Sequence, residues 1–209
     1  MVVNANIRSR ERIGLPLHLV DPDGKIRLSF GAEDPIYLPG ISYQMDRALA
    51  YAGAGRIWSA QKTRYVVELW DTAGTKQAEF IRHPDWFEPW DKDGPLSPTS
   101  PPLPRREAIQ QDAQGRLWVL LTVPARDWTR GLQEKKGPSG ITYYPDQLHL
   151  LFDSILEVID PESGTLIASG RFPQYLQNFV DEKTVLGYRE DSEGFPYIDI
   201  WRVELIESP

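Results

Sequence analysis

The feature that most constrains this chain is a short phrase that occurs twice. Residues 52–60 read AGAGRIWSA and residues 112–120 read DAQGRLWVL, so a turn containing glycine leads both times into an apolar strand. Trp58 and Trp118 occupy the same place in the two copies, and a weaker third copy lies at 181–187. Such recurrence is typical of repeat proteins, in which each unit packs against its neighbours. The chain is therefore expected to consist of repeated β units.

A second recurring phrase consists of a strand, a turn led by aspartate, and a glycine. It occurs at 17–24, 67–74 and 156–164, and its strand portion returns at 198–201. The aspartate can accept hydrogen bonds from its own turn, and glycine supplies positive φ, which together favour a hairpin. The two phrases predict four consecutive units of up to four antiparallel strands.

The predicted fold class is all-β, a partial β-propeller of about three and a half four-stranded antiparallel blades in one domain spanning 1–209. The first blade lacks its innermost strand, the third carries an insertion at 124–150, and the fourth lacks its outermost strand. The predicted blades cover residues 2–30, 48–81, 107–172 and 174–207. A β-sandwich is the alternative, but a sandwich does not require the Gly-Arg-Ile/Leu-Trp phrase to recur at the same point in each unit.

These phrases also carry a resemblance to a known class. The segments 55–58, 115–118, 16–24 with 29–31, and 188–191 resemble bacterial six-bladed propeller proteins of the NHL and TolB-like kind. The resemblance implies that the chain corresponds to the C-terminal part of such a protein or to a half-length relative. Full-length relatives are expected to be exported. The superfamily includes lactonase-type metal enzymes, but their ligands have no match here, so the resemblance assigns no catalytic residue.

Composition excludes several classes of partner and chemistry. The net charge is −7 and no long run of Lys or Arg occurs, so the electrostatic footprint of a nucleic-acid-binding protein is lacking. The absence of cysteine excludes disulfides and thiolate chemistry. The longest apolar run, 117–123, is too short to span a bilayer. No signal peptide is visible in residues 1–6, and the sequence assigns no compartment.

Strand alternation sorts the loops to two ends of the predicted blades. Tight turns at 52–55, 71–74, 112–115, 160–164 and 181–183 share one end. Long segments at 6–14, 31–45, 83–106, 124–148 and 189–196 share the other. Long loops on a rigid scaffold commonly carry binding residues. We therefore expect the functional face to be the long-loop end.

The long loops are rich in aromatic and charged side chains, which are common interface anchors. The predicted ligand-binding residues are His83, Asp85, Trp86, Trp90, Trp128, Arg130, Tyr143, Tyr144 and Asp146. The alternative is that the aromatic residues among them are lids packed over the ends of the blades.

A polar residue also recurs in the third strand of each predicted unit. The four equivalent residues are His18, Glu68, Glu157 and Asp199. If buried, each would need a polar partner, and pairing between blades meets that need. The alternative is a ring of carboxylates and one histidine that holds a metal.

Three functions follow from these observations. The first is a non-catalytic propeller that binds a protein, a peptide or a small ligand, with no cofactor. The second is a hydrolase or lyase with a metal or acid/base site in the loops, using His83, Asp85 and Asp146. The third is a fragment without independent activity. An open arc of blades would expose edges at 2–6 and 198–205, which another copy or a missing N-terminal half would cover.

Overall fold

The computed structural model describes residues 1–7, 9, 11–32, 42–138 and 140–206, and its regular structure is almost entirely β. Four antiparallel sheets of three or four strands follow one another along the chain, a two-stranded sheet is inserted within the third, and none of them closes into a barrel within these ranges. The all-β prediction is confirmed. That the sheets are blades of a propeller stays a prediction.

The first two sheets contain three and four strands. Sheet I comprises β1 (Val2–Asn4), β2 (Leu17–Val20) and β3 (Ile26–Phe30). Sheet II comprises β4 (Arg47–Tyr51), β5 (Arg56–Gln61), β6 (Val66–Asp71) and β7 (Lys76–Ile81), and a 3-10 turn at Ser42–Met45 precedes it.

Sheet III is interrupted by an insertion. Its strands are β8 (Arg105–Gln111), β9 (Leu117–Pro124), β12 (Phe152–Asp160) and β13 (Thr165–Phe172). Between β9 and β12 lie a 3-10 turn (Trp128–Gly131), the hairpin β10 (Leu132–Gly137) and β11 (Gly140–Pro145), and the short helix α1 (Leu148–Leu151). Sheet IV comprises β14 (Leu176–Asp181), β15 (Thr184–Glu190) and β16 (Pro196–Arg202). No helix in the described ranges is long and apolar enough to cross a membrane.

Aspartates close the tight turns between strands. In the β6–β7 turn, Oδ1 of Asp71 accepts hydrogen bonds from the backbone N–H groups of Ala73 and Thr75, both at 2.9 Å. In the β8–β9 turn, Oδ1 of Asp112 accepts from Gln114 and Arg116 in the same way. The chain then reverses through Gly74 (φ 81°) or Gly115 (φ 83°), a backbone conformation that glycine adopts without steric cost.

The core lies between consecutive sheets. Trp58 belongs to a buried cluster between sheets II and III, and Trp118 belongs to one between sheets III and IV. Leu17, Phe30 and Trp70 form a smaller cluster between sheets I and II. Neighbouring sheets also contact through their first strands, since β4 lies against β8 and β8 lies against β14. Sheets II and III therefore bury both faces of strands β6, β9 and β12, whereas their outer strands β7 and β13 are largely exposed.

One expectation about the loops needs correction, and the predicted edge at 2–6 carries side-chain contacts. The segment 189–196 is not a long loop, because β15 continues to Glu190 and Asp191 closes a tight turn by accepting from the N–H groups of Glu193 and Phe195. At the predicted edge 2–6, β1 is the edge strand of sheet I and pairs only with β2 among the described strands, while the Asn4 side chain donates to the backbone carbonyl of Met45 and accepts from Arg47 N–H. Most of the predicted long segment 31–45 lies outside the described residues, as do residues 8, 10, 139 and 207–209.

Candidate functional site

The aromatic residues after β7 pack onto the end of sheets II and III. Trp90 is buried, and its indole N–H donates to the carbonyl of Pro104 at 2.7 Å. The half-buried Trp86 ring lies 6.5 Å from Tyr65 and 6.1 Å from Phe87 between centroids. Of the predicted binding residues in this segment, His83 and Asp85 are the exposed ones. Trp86 and Trp90 therefore pack over the ends of sheets II and III, which is the alternative to ligand binding that the sequence left open.

The insertion carries the remaining predicted residues. Trp128 and Tyr143 are half-buried, whereas Arg130, Tyr144 and Asp146 are exposed. The N–H of Asp146 donates to the carbonyl of Gly131 at 2.8 Å, which ties the end of the hairpin to the 3-10 turn.

A cavity of about 440 Å³ lies at the base of this insertion, at the long-loop end of sheet III. It is lined by Ala125, Arg126, Asp127, Arg130, His149, Leu150, Asp153, Arg171 and Pro173. Its volume falls in the range of about 300–1,000 Å³ that is usual for small-molecule sites. Of the nine predicted binding residues, only Arg130 lines it.

The cavity presents three guanidinium groups. Arg171 is held in place, because its Nε and Nη2 contact Oδ2 of Asp153 at 2.8 and 2.7 Å and Nη2 also donates to the carbonyl of Pro124 at 2.8 Å. Within the described ranges, Arg126 and Arg130 form no ion pair with a carboxylate. The cavity is thus locally cationic in a chain whose net charge is −7.

His149 adds a neutral polar group to the wall. Burial lowers the pKa of His149, Glu190 opposes this effect, and the positive charge of Arg189 adds to it. Burial therefore favours the neutral form of the ring. Its Nδ1 accepts a hydrogen bond from the N–H of Glu190 at 3.3 Å, which leaves the proton of the neutral ring on Nε2. A neutral histidine of this tautomer can donate one hydrogen bond to a ligand without adding charge.

Sequence reasoning missed most of this cavity. Arg126 and Arg130 stand four residues apart at the start of the insertion, and that spacing was the available signal for the pair. Asp153 and Arg171 lie on two different strands of sheet III and come together only through the pairing of β12 with β13. No local pattern in the sequence indicates that contact.

A second, larger cavity lies at the opposite end of the molecule. It occupies about 790 Å³ between the tight turns of sheets II and III, and Arg56, Trp58 and Arg116 are among its lining residues. Arg116 is paired with Asp112 at 2.7 Å. Because this cavity lies at the tight-turn end, it provides a direct comparison for the long-loop hypothesis.

The four residues of the predicted polar column have separate partners. His18 is fully buried and bonds to Ser29 and to the carbonyl of Ala5 within sheet I. Trp70 donates to the buried Glu68 at 3.3 Å. Asp199 is half-exposed and pairs with Arg189 on the adjacent strand at 2.8 Å.

Glu157 makes the contacts that join two sheets. Tyr65, which precedes β6, donates its hydroxyl to Glu157 at 2.5 Å, and Nε of Arg82, which follows β7, lies 3.2 Å from the same carboxylate. Burial and the charge of Glu157 raise the pKa of Tyr65 well above its ordinary value. No group of three or more His, Asp or Glu side chains suited to a metal occurs among the described residues.

Comparisons with known proteins give no family. No family model matches the chain, and no curated protein matches it. A solved structure described as a protein of unknown function from Bacteroides caccae aligns with 91% of this chain, at a TM-score of 0.38 and 11% sequence identity. The chain spans 65% of the length of that protein. A likeness this low carries no argument about function.

Proposed function

We propose that this chain is a non-catalytic binding protein that takes a small anionic ligand, bearing a carboxylate or phosphate group, in the cavity at its long-loop end. The observation that carries the proposal is the pair of guanidinium groups of Arg126 and Arg130, which lack a carboxylate partner within the described ranges. Guanidinium groups bind carboxylates and phosphates through charge-assisted, often bidentate, hydrogen bonds.

The fixed position of Arg171 supports a site that is preorganised for a ligand. Asp153 is buried and fixes Arg171, so this guanidinium group loses little freedom when a ligand arrives. The carboxylates of Asp127 and Asp153 offset two of the three positive charges of the cavity, and burial favours the neutral form of His149. The remaining charge suits an anion of low charge and disfavours a polyanion.

We further propose that the four sheets are blades of a partial propeller. The support is that sheets II, III and IV contact in order through their first strands, as inner strands around an axis would. The cavity then lies on the end of the scaffold that carries the longest connection, the insertion between β9 and β12.

The test is titration calorimetry with phosphate and with a panel of mono- and dicarboxylates. We expect one of these classes to bind, and Arg130→Gln to weaken binding by roughly tenfold or more, because a hydrogen bond to a charged group contributes about 1.5–3 kcal/mol. Arg126→Gln should have an effect in the same direction.

Arg56→Gln is the matched control, because Arg56 lines the cavity at the tight-turn end. Binding unaffected by Arg56→Gln and weakened by Arg130→Gln supports the proposal. The opposite pattern moves the ligand to the tight-turn end and overturns it, and so does a panel in which no anion binds.

A further inference from the structure

The two copies of the turn-and-strand phrase place the same pair of side chains between successive sheets. Trp58 and Trp118 stand at the same register of β5 and β9 relative to the first strand of their sheets. Arg56 and Arg116 lie two residues before them, on the same side of the chain, because side chains alternate along an extended strand. Trp58 packs between sheets II and III, and Trp118 packs between sheets III and IV. The same arginine–tryptophan pair therefore occurs in two successive grooves.

In the groove between sheets III and IV, the pair holds a carboxylate that belongs to the chain itself. Oδ2 of Asp112 accepts hydrogen bonds from Nε of Arg116 at 2.7 Å and from the indole N–H of Trp118 at 2.9 Å. Burial acts to raise the pKa of Asp112, but the hydrogen bonds from Trp118 and Arg116 lower it below its ordinary value. An arginine and a tryptophan in this arrangement therefore bind an ionised carboxylate.

The groove between sheets II and III has the same pair but no carboxylate at the equivalent position. Ala52 stands where Asp112 stands in the next repeat, and its N–H closes the turn in the same way, by donating to the carbonyl of Arg56 at 3.0 Å. Among the described residues, the Arg56 guanidinium group has no carboxylate partner. The indole N–H of Trp58 donates across the groove to Gln111 at 3.3 Å, a longer bond than the 2.9 Å of its counterpart in the next groove. This repeat thus keeps both donors and lacks their acceptor.

The tight-turn cavity of about 790 Å³ occupies this groove, and both Arg56 and Trp58 line it. Arg56 is exposed to solvent, whereas Trp58 is buried at the wall. Much of the remaining lining is apolar and consists of Ala52, Leu69, Ala78 and Ile167. A ligand in this cavity can therefore place a polar group on the pair and an apolar group on the wall.

The charged groups of the lining favour a ligand with a single negative charge. Arg116 also lines the cavity, but it is paired with Asp112 in the neighbouring groove. Asp160 and Glu162, in the β12–β13 turn, bring two negative charges to the lining. Within the described ranges, Arg56 is thus the one cation of this lining without a carboxylate partner. One carboxylate finds a partner there, and a second has none.

We propose that this cavity is a second binding site, which takes a monocarboxylic acid with an apolar body. The carboxylate accepts hydrogen bonds from Arg56 and from the indole N–H of Trp58, and so takes the place that the Asp112 side chain fills in the next repeat. The apolar body packs against the wall formed by Trp58 and its apolar neighbours. The ligand proposed for the long-loop cavity needs no apolar body, so each site can be tested without the other.

The experiment is titration calorimetry of the full chain with 3-phenylpropionate, its neutral amide and acetate. We expect 3-phenylpropionate to bind at least about tenfold more tightly than the amide, which lacks the charge, and than acetate, which lacks the apolar body. Arg56→Gln should raise the dissociation constant of 3-phenylpropionate by about tenfold or more. Arg130→Gln, at the long-loop cavity, is the matched control and should leave this dissociation constant unchanged.

A second variant fills the site from within the chain. Ala52→Asp supplies the acceptor that the next repeat has, so it should raise the dissociation constant by about tenfold or more without lowering the midpoint of thermal unfolding. Ala113→Asp is its control, because it adds the same charge to the neighbouring turn but lies outside the lining, and it should bind like the wild type.

Three results would overturn this second site. The first is that 3-phenylpropionate does not bind, and the second is that Arg56→Gln binds it as tightly as the wild type. The third is a loss of binding in Arg130→Gln alone, which assigns the acid to the long-loop cavity and leaves the proposed function standing. Arg56 is exposed, so Arg56→Gln decides the matter even where Ala52→Asp disturbs its turn.

Discussion

The interface between sheets II and III and the side of sheet IV that carries Ile198 and Ile200 differ in composition and in burial. The first buries Trp58, whose indole N–H donates across the interface to Gln111 at 3.3 Å, and it encloses the contacts of Glu157 with Tyr65 and Arg82. The second leaves Ile198 and Ile200 exposed to solvent. The difference shows that the specificity of the packing between sheets is set at the interface of sheets II and III.

A buried polar contact and an exposed apolar face also differ in how they respond to change. Removing one partner from a buried ion pair leaves the other charge desolvated, which costs more than the pair contributes. Removing an exposed apolar side chain costs the isolated chain little. Stability is therefore expected to depend more on the interface between sheets II and III than on this side of sheet IV.

The largest expected effect is that of Glu157→Ala. The substitution leaves the Arg82 guanidinium and the Tyr65 hydroxyl without their shared acceptor in a site where Glu157 is 2% exposed. We expect the free energy of unfolding to fall by about 3–5 kcal/mol, measured by denaturant unfolding.

Asp199→Ala is the control for that substitution, because Asp199 was predicted to be equivalent to Glu157. Its pair with Arg189 is partly exposed, so the expected loss is about 0–1 kcal/mol. Equal losses from the two variants would show that burial does not separate these positions.

A smaller effect is expected at two glycines with nearly the same backbone angle. Gly74 has φ 81° and Gly194 has φ 82°, and alanine in this conformation costs about 1–2 kcal/mol at either position. A Cβ at Gly74 would also lie 3.0 Å from Leu28 and 3.2 Å from Phe30, whereas a Cβ at Gly194 meets nothing within 4 Å.

Gly74→Ala should therefore lose more stability than Gly194→Ala, by roughly 1–3 kcal/mol, in the same unfolding assay. The difference reports the contact between the β6–β7 turn and sheet I. A pair of equal losses would mean that sheet I moves aside at no cost.

The strands were predictable because their signals are local. Aspartates and glycines in the turns mark where the strands of each hairpin end. Trp58 and Trp118 occupy the same buried position in two successive units. The same local signals misplaced the segment 189–196, since its aspartate-led turn was read as part of a long loop. There the strand β15 extends further than its mixed composition indicates.

The cavity was less predictable because it depends on contacts between distant residues. Arg171 and Asp153 are 18 positions apart and meet through strand pairing. His149 acquires its lowered pKa from burial against sheet IV, which no sequence pattern displays. Arg130 alone was found, because a cation in an insertion is visible in the sequence without knowledge of its neighbours.

The smallest expected effect is a pH dependence of the free energy of unfolding, which arises from a buried carboxyl group inside sheet II. Burial raises the pKa of Glu68, and this outweighs the attraction of Arg47 and the hydrogen bond from Trp70. The pKa of Glu68 is higher in the folded state than in the unfolded state. Its contribution to the free energy of unfolding is therefore fully present below the unfolded pKa, about 4.3, and is lost as pH rises through the folded pKa.

Glu68→Gln removes this titration while keeping the shape of the side chain. The unfolding free energy of the variant, relative to wild type, should therefore increase as pH is raised from about 4 toward 7. Glu79 lies directly opposite on strand β7, and its charge adds to the rise in the pKa of Glu68, so Glu79→Gln should weaken this pH dependence without removing it. A relative stability of Glu68→Gln that falls with rising pH would mean that the ionised carboxylate is stabilised in place by Arg47, and that the polar residue inside sheet II acts as an ion pair and not as a desolvated acid.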